Sequence, residues 1–300
     1  MDKVIVIDWS IFLHANAYAS LRAGLTPTWM AMNSILGNLN RIGVDEEDLI
    51  IIACDGMNNW RKDYIKQTKA DRKDKKAQDG VDWPSIYIQF DDLLNQVEAG
   101  TDWQILYEDK AEADDIMAVC CRYFSDREVV ILSSDSDLQQ LWTYPNVKLF
   151  SPHYMSKVYK IRPDKFNISE WLAREVMNKG HNNLGKPTTE KEYDIKSKCI
   201  DLIELPELIE KIIIEHLDNL PIKGFNLGKI ESPDIRERIP ELYKVNNKVI
   251  TYEQTKKKHL KKVEKKKKKD KEKRYQIKQE KIKKEKAIYN KVKKRIKDKI

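Results

Sequence analysis

The sequence lacks the features of zinc-binding, disulfide-bonded, exported and membrane-spanning proteins. Its 300 residues include only four cysteines, and no two of them have the C-x-x-C spacing of zinc and redox motifs. No run of 18 apolar residues occurs, and the N-terminus begins with a strand-like segment instead of a charged region followed by an apolar one. We therefore expect a soluble cytoplasmic protein with reduced cysteines and no membrane partner.

Charge is distributed unevenly along the chain. Residues 251–300 hold 24 Lys or Arg and seven Asp or Glu, a balance of +17, and the +8 of the whole chain therefore leaves −9 for residues 1–250. The basic segment contains no Gly or Pro, which predicts either a frayed helix or a segment that is disordered until it meets a polyanion. Nonspecific phosphate binding is its first expected role, and improved solubility is the alternative.

Short β-branched apolar segments alternate with amphipathic ones along the first half of the chain. The predicted strands are Lys3–Ile7, Leu49–Ala53, Trp103–Leu106 and Glu128–Leu132, and the predicted helices include Thr28–Arg41 and Ala113–Phe124. Continuously apolar strands are typical of a sheet that is buried on both faces. The alternation predicts βαβ units and a parallel sheet, with ligands beyond the carboxyl ends of its strands.

Acidic residues follow all four predicted strands. They are Asp8, Asp55, Glu112, Asp114, Asp115, Asp135 and Asp137. Because like charges repel, a group of carboxylates at one edge of the sheet predicts a compensating divalent cation. An all-oxygen donor set without His or Cys favours Mg²⁺ or Mn²⁺ over zinc. Two ions about 4 Å apart would activate a water and stabilise the leaving oxygen of a phosphodiester.

A single Asp after a strand also has a simpler interpretation. Such a residue is often a helix N-cap or a turn former, and Asp8 and Asp135 each fit that description. Four strands that all end in acids, one in an E-x-D-D cluster and one in D-x-D, are harder to explain by capping alone.

The segments around these acids resemble the 5′-nuclease (flap endonuclease) family, in particular its T-even phage branch of 5′ to 3′ exonucleases called RNase H. The matching stretches, within residues 3–152, are VIVIDWSIFLHANA, IIACDGMNNWRKDYIKQTKADRK, YEDKAEADDIMAV, VVILSSDSDLQQL and YPNVKLFSP. The resemblance implies an α/β fold with a central, mostly parallel sheet flanked by helices, the PIN-like 5′-nuclease fold. It also implies a Mg²⁺- or Mn²⁺-dependent nuclease that removes RNA primers or 5′ flaps during replication.

By motif match, the resemblance assigns a role to each acid. Asp8, Asp55, Glu112 and Asp114 would hold the first ion. Asp135 and Asp137 would bridge to or hold the second, and Asp135 would be essential for catalysis. Asp115 is counted among the metal residues in a supporting role. The implied substrate is DNA or RNA–DNA with a 5′ end or flap, and a single-strand-binding protein or a polymerase is a further expected partner.

The segment Trp60–Lys76 matches the helical arch of the family, which threads or clamps single-stranded 5′ ends. It carries eight Lys or Arg with Trp60 and Tyr64 among them, a composition typical of phosphate-tracking and base-stacking elements, although a solvated helix face gives the same pattern. Lys69 and Arg72, which resemble the family's K-x-x-R, are predicted to contact the scissile phosphate as catalytic residues. The predicted nucleic-acid contacts are Trp60, Arg61, Tyr64, Lys66, Lys69, Arg72 and Lys73.

The chain departs from the family where a G-D-x-x-D-N motif and a helix-three-turn-helix are expected. Gly180 matches, but His181 and Leu184 stand in place of the two acids, and His181 is either a ligand or a solvent-facing loop residue. A second segment, residues 218–229, vaguely resembles the missing motif and would add Glu215 and Asp218 as late acids. The expected organisation is a catalytic domain at 1–160 with its arch at 58–80, a helical region with a degenerate hairpin at 161–250, and the basic tail at 251–300.

Three functions remain open on this evidence. The leading hypothesis is a structure-specific 5′-nuclease whose basic tail substitutes for the shortened hairpin in gripping duplex. The second is a DNA-binding protein of the same fold with weakened catalysis. The third is a PIN-like ribonuclease, against which the arch segment and the SSDSDL motif argue.

Overall fold

A computed structural model describes residues 3–64, 80–152, 158–178, 185–244, 249–266 and 269. The chain divides into two compact units, Met1–Thr251 and Tyr252–Ile300. In the second unit, residues 252–266 form a helix. The sheet and the other helices belong to the first unit. None of the helices in these ranges is long and apolar enough to cross a membrane.

Six strands form one sheet in the described part of the chain. They are β1 (Lys3–Asp8), β2 (Leu49–Cys54), β3 (Gln104–Tyr107), β4 (Glu128–Leu132), β5 (Val147–Ser151) and β6 (Val158–Tyr159). The order is β3-β2-β1-β4-β5-β6, and all neighbours pair in parallel except β5 and β6, which pair antiparallel. The four predicted strands and the α/β class are confirmed. The short strands β5 and β6 were not predicted, because a lysine interrupts the first and the second has only two residues.

Within the described residues of the first unit, eight α-helices flank or extend this sheet. They are α1 (Trp9–Ala23), α2 (Pro27–Ile42), α3 (Trp83–Gly100), α4 (Ala113–Tyr123), α5 (Ile168–Val176), α6 (Glu190–Ile200), α7 (Glu207–Asp218) and α8 (Pro233–Glu241). The predicted helices are confirmed as α2 and α4. Proline in the first turn of α2 favours a helix start, because amides in the first turn have no helical acceptor and proline therefore loses no hydrogen bond there.

The core lies on both faces of the central strands. Residues 4–7 of β1 and 129–132 of β4 are fully buried. Helix α4 packs on the sheet, and Ile209, Ile213 and Leu217 of α7 are buried in the same core cluster as α4. Each such apolar side chain contributes about 1.5–3 kcal/mol when it is fully buried. Helix α7 therefore shares its core with the sheet, whereas Trp171, Val176 and Ile200 of α5 and α6 form a separate small cluster.

Candidate metal centre and nucleic-acid interface

Two of the predicted acids, Asp8 and Asp55, lie at the carboxyl ends of the parallel strands β1 and β2, at the same edge of the sheet. Asp8 is the last residue of β1, is buried, and accepts hydrogen bonds from the hydroxyls of Ser10 at 3.0 Å and Ser133 at 2.8 Å. Asp55 directly follows β2, and its Oδ1 accepts the amide of Ala113 at 2.9 Å. Asp55 thus satisfies one of the unpaired amides at the start of α4.

The N-terminus of α4 presents the next two acids. Glu112 is the N-cap residue, and Asp114 lies in the first turn, where the helix dipole favours negative charge. Glu112 Oε1 accepts from Asn59 Nδ2 at 2.7 Å, and Oε2 lies 3.2 Å from Arg61 Nη1. The Glu112 carboxylate is therefore held through both of its oxygens.

The loop after β4 brings the last two acids to this edge. The hydroxyl of Ser133 accepts the amide of Asp135 at 3.0 Å while it donates to Asp8, so it joins the ends of β4 and β1. Asp135 Oδ1 accepts the amide of Asp137 at 2.9 Å. Asp137 starts a 3₁₀ turn and lines a small pocket. The other lining residues are Arg61, Glu112, Asp114, Cys199, Ile200 and Leu202.

Burial and mutual repulsion raise the pKa of two of these acids, Asp8 and Asp114. Burial raises the pKa of Asp8 to about 6, the bonds from the two serines oppose the shift, and repulsion by Asp55 and Asp135 adds to it. The pKa of Asp114 is raised well above its ordinary value by burial and then by the charges of Asp135, Asp8, Glu112 and Asp55. Such mutual repulsion is what a bound cation would relieve.

The donor chemistry fits a hard divalent cation, but the side chains as placed do not form a closed ligand set. In residues 3–64, 80–152 and the later described ranges, no three carboxylate, imidazole or thiol groups are arranged to hold an ion together. The side chains of Asp8, Asp55, Glu112 and Asp135 accept hydrogen bonds from protein donors. Shared coordination of one ion therefore requires rotation of these side chains toward each other.

Asp115 differs from the other acids because protein donors use both of its oxygens. It is fully buried and forms a bidentate pair with Arg61, at 2.8 and 2.6 Å. Its Oδ2 also accepts from Trp60 Nε1 at 3.1 Å and from the Glu112 amide at 2.9 Å. The prediction that Asp115 supports the site fits this geometry, whereas its inclusion among the metal ligands is corrected, since donors already surround its oxygens.

The start of the arch segment is part of the protein core. Trp60 is 5% exposed and Arg61 is 7% exposed, and both are bonded to Asp115. The prediction that these two residues contact nucleic acid is corrected, because both side chains are buried and donate hydrogen bonds to Asp115. Tyr64 is 44% exposed, although the Lys198 ammonium lies 4.5 Å from its ring centre. The predicted contacts Lys66, Lys69, Arg72 and Lys73 lie outside the described residues.

The late acids of the second candidate segment do not join the site. Asp218 Oδ1 accepts from the Tyr123 hydroxyl at 2.7 Å, at the end of α4 opposite to Glu112. A helix of 11 residues is about 16 Å long, so the Asp218 contact lies far from the carboxylate cluster. Glu215 is exposed three residues earlier on α7. His181 and Leu184 fall outside the described residues.

Sequence patterns did not indicate three positions that hold the loops and carboxylates of the candidate site: Gly56, Asn59 and Ser133. The loop after β2 is bonded to the loop before α4 by the amides of residues 56, 58 and 60, which donate to the carbonyls of residues 111, 109 and 110. A Cβ on Gly56 would lie 2.1 Å from the carbonyl oxygen of Glu108. Only glycine allows this approach, and the D-G pair directly after a strand was the available signal.

Comparisons with known proteins identify the family of the chain. A family model described as the 5′-3′ exonuclease, N-terminal resolvase-like domain, matches residues 3–170. Ribonuclease H of Enterobacteria phage T4 is 30% identical over 143 residues, which are 46% of this chain and 47% of that protein. The match therefore spans about half the length of that relative.

Two solved structures match the chain at low sequence identity and low TM-score. The T5 D15 protein co-crystallised with metal ions has 13% identity and a TM-score of 0.46, over 81% of this chain and 100% of that one. The catalytic core of Rad2 in complex with a DNA substrate has 12% identity and a TM-score of 0.42, over 80% and 91% of the two chains. The family model covers more than half of the sequence, and the chain belongs to the 5′-3′ exonuclease family with an N-terminal resolvase-like domain.

Proposed function

We propose that this protein is a divalent-metal-dependent, structure-specific 5′-nuclease that hydrolyses phosphodiesters at the 5′ ends or flaps of DNA or RNA–DNA. The observation that carries the proposal is the electrostatic cluster of carboxylates at the ends of β1, β2 and β4 and the start of α4. Mg²⁺ or Mn²⁺ bound there supplies an activated water and neutralises charge on the phosphate oxygens. Membership of the 5′-3′ exonuclease family supports this reaction class.

The chain's own residues divide into ligands and supports. Asp8, Asp55, Glu112 and Asp114 are the proposed ligands of a first ion, and Asp135 and Asp137 those of a second. Ser133 orients Asp8 and the Asp135 backbone, while Asn59 and Arg61 hold Glu112. Asp115 positions Arg61 and does not act as a ligand.

The proposed substrate follows from the arch segment and the T4 relative. That relative bears the name Ribonuclease H, which favours RNA primers paired with DNA as one substrate and replication as the setting. Lys66, Lys69, Arg72 and Lys73 remain proposed phosphate contacts, with Lys69 and Arg72 at the scissile group. A single-strand-binding protein or a polymerase is the proposed protein partner.

The first test is a cleavage assay on 5′-labelled flap DNA and on an RNA–DNA hybrid, with Mg²⁺, Mn²⁺ or EDTA. We expect the unchanged protein to cut in either ion and not in EDTA. Asp135→Asn should abolish cleavage and leave binding intact, because it removes a ligand and a charge that repels phosphate. Asp164→Asn, at an exposed position, is the matched control and should retain full activity. Equal rates in the two variants would contradict the assignment.

A DNA-binding protein with weakened catalysis is the second candidate. Two observations favour it: within the described ranges no three acids, His or Cys are arranged to hold an ion, and the G-D-x-x-D-N motif is missing. This candidate predicts tight binding of flap DNA with no cleavage in Mg²⁺ or Mn²⁺. The same assay therefore separates the two functions when binding is measured in parallel.

A further inference from the structure

We propose that Arg61 is a positioning residue that fixes the Glu112 carboxylate for the metal ion. The residue lies at the beginning of the arch segment, where the sequence predicts a contact to nucleic acid, yet its guanidinium points into the protein. The inference rests on the proposed function, since it assigns Glu112 to the metal centre.

The Arg61 guanidinium joins three separate parts of the chain. Its two terminal nitrogens form a bidentate pair with Asp115, and Nη1 also lies 3.2 Å from Glu112 Oε2. Its Nε donates to the carbonyl of Cys199, at the end of α6, at 2.8 Å. A planar fork with five N–H donors serves these three acceptors at once, which a lysine ammonium does not do in the same geometry.

Glu112 is restrained from its other side as well. Asn59 Nδ2 donates to Glu112 Oε1 at 2.7 Å, and Asn59 Oδ1 accepts the amide of Arg61 at 2.9 Å. Asn59 and Arg61 are close neighbours in the chain and approach opposite oxygens of one carboxylate. A glutamate side chain otherwise has considerable rotamer freedom, so these two contacts pre-order it for coordination.

A purely structural role would make a different prediction, and a second, half-buried arginine allows the comparison. Arg122, on α4 but at its other end, donates to Glu210 at 2.9 Å, to the Leu202 carbonyl at 3.1 Å and to the Tyr144 hydroxyl at 3.3 Å. Like Arg61 it bonds a carboxylate and a backbone carbonyl, but it contacts none of the proposed ligands. Arg122→Lys is therefore the matched control for Arg61→Lys.

The experiment is a titration of the full-length protein with Mn²⁺ in the absence of substrate, with free Mn²⁺ followed by electron paramagnetic resonance. Loss of a group that orients a metal ligand costs roughly 10- to 100-fold in metal affinity, so Arg61→Lys should raise the Mn²⁺ dissociation constant at least about tenfold. Arg122→Lys should change it by less than about twofold on the same scale. Thermal unfolding in EDTA shows whether the two variants are destabilised to a similar degree.

Asn59→Ala provides a second, independent variant. It removes the contact to Glu112 Oε1 while the buried pair of Arg61 and Asp115 remains, so it avoids the large loss of stability that an unpaired buried charge causes. It should also weaken Mn²⁺ binding. Activity at saturating Mn²⁺ should recover in both variants, because only the ordering of a ligand is lost and the ligand itself is retained.

The outcomes separate this inference from the proposed function. Mn²⁺ affinity that is unchanged in a folded Arg61→Lys or Asn59→Ala variant would overturn the positioning role. Suppose that the wild-type protein binds Mn²⁺ and that Arg61→Lys weakens this binding as expected. If the wild-type protein then does not cut flaps or hybrids, only the proposed nuclease function would be overturned. Wild-type protein that does not bind Mn²⁺ would overturn both.

Discussion

The Ser133 hydroxyl donates a hydrogen bond of 2.8 Å to the buried carboxylate of Asp8, and so connects the end of β4 to the end of β1. Ser133→Ala removes this donor, so Asp8 Oδ2 should lose its hydrogen bond from the serine hydroxyl. A buried acceptor that loses its partner costs about 1–3 kcal/mol, and the loss should appear in urea denaturation. Ser134→Ala, at the exposed neighbouring position, is the control and should stay within about 0.5 kcal/mol of the unchanged protein.

The raised pKa of Asp8 predicts a pH-dependent effect of Asp8→Asn on stability. The folded-state pKa of about 6 lies above the ordinary 3.8, so the ionised carboxylate destabilises the fold at pH values above 6. A shift of this size corresponds to roughly 3 kcal/mol, since each pKa unit is worth about 1.4 kcal/mol. In EDTA, the variant should be more stable than the unchanged protein at pH 8.

The same advantage of Asp8→Asn should shrink as the pH falls below about 6 and should vanish only well below 3.8, the ordinary pKa, where the carboxyl is protonated in both folded and unfolded chains. Denaturation curves at several pH values give the measurement. A constant difference between pH 4 and pH 8 would mean that burial and repulsion at Asp8 are not the source of the effect.

Gly56→Ala tests the close contact between the two loops that carry Asp55 and Glu112. The new Cβ would lie 2.1, 2.5 and 2.6 Å from three carbonyl oxygens, so the backbone must move. We expect a loss of more than about 3 kcal/mol in the free energy of unfolding, together with loss of cleavage. Gly224→Ala meets no atom within 4 Å and should be nearly neutral. Similar stability of the two variants would show that the loop adapts at little cost.

The central fold was predictable because it depends on strong local patterns. Four continuously apolar strands predicted the parallel sheet, and the acids that follow them predicted the edge at which carboxylates gather. Strand β6 was not predictable, because two residues carry no periodicity. The fold class needs only these patterns, whereas the exact pairing of side chains needs long-range contacts.

The misassigned residues show where local patterns were insufficient. Trp60 and Arg61 have the composition of a nucleic-acid contact, and only a partner 54 or 55 residues away, Asp115, reveals that they are buried. Asp115 belongs to an acidic cluster in the sequence and is therefore predicted as a metal residue, although the fold pairs it with Arg61. A charged side chain in sequence does not indicate whether its partner is an ion, a solvent molecule or another buried charge.

The basic tail is expected to supply most of the affinity for duplex DNA. Residues 251–300 carry a balance of +17, whereas residues 1–250 carry −9 and by themselves repel a polyanion. In the helix formed by residues 252–266, the exposed side chains include Lys257, Lys258, Lys261 and Lys262. Each phosphate that a cation neutralises adds about −0.9 to the slope of log affinity against log salt on duplex DNA.

Deletion of residues 252–300 should therefore weaken duplex binding strongly and flatten this slope, while cleavage of saturating short substrates survives. Changing Lys257, Lys258, Lys261 and Lys262 to glutamine in the full-length chain should give an intermediate slope, since each lost phosphate contact removes about 0.9. The measurement is a salt titration of flap-substrate binding in Ca²⁺ for all three proteins. Equal slopes would show that the tail does not hold the DNA, and a protein partner would then be its more reasonable target.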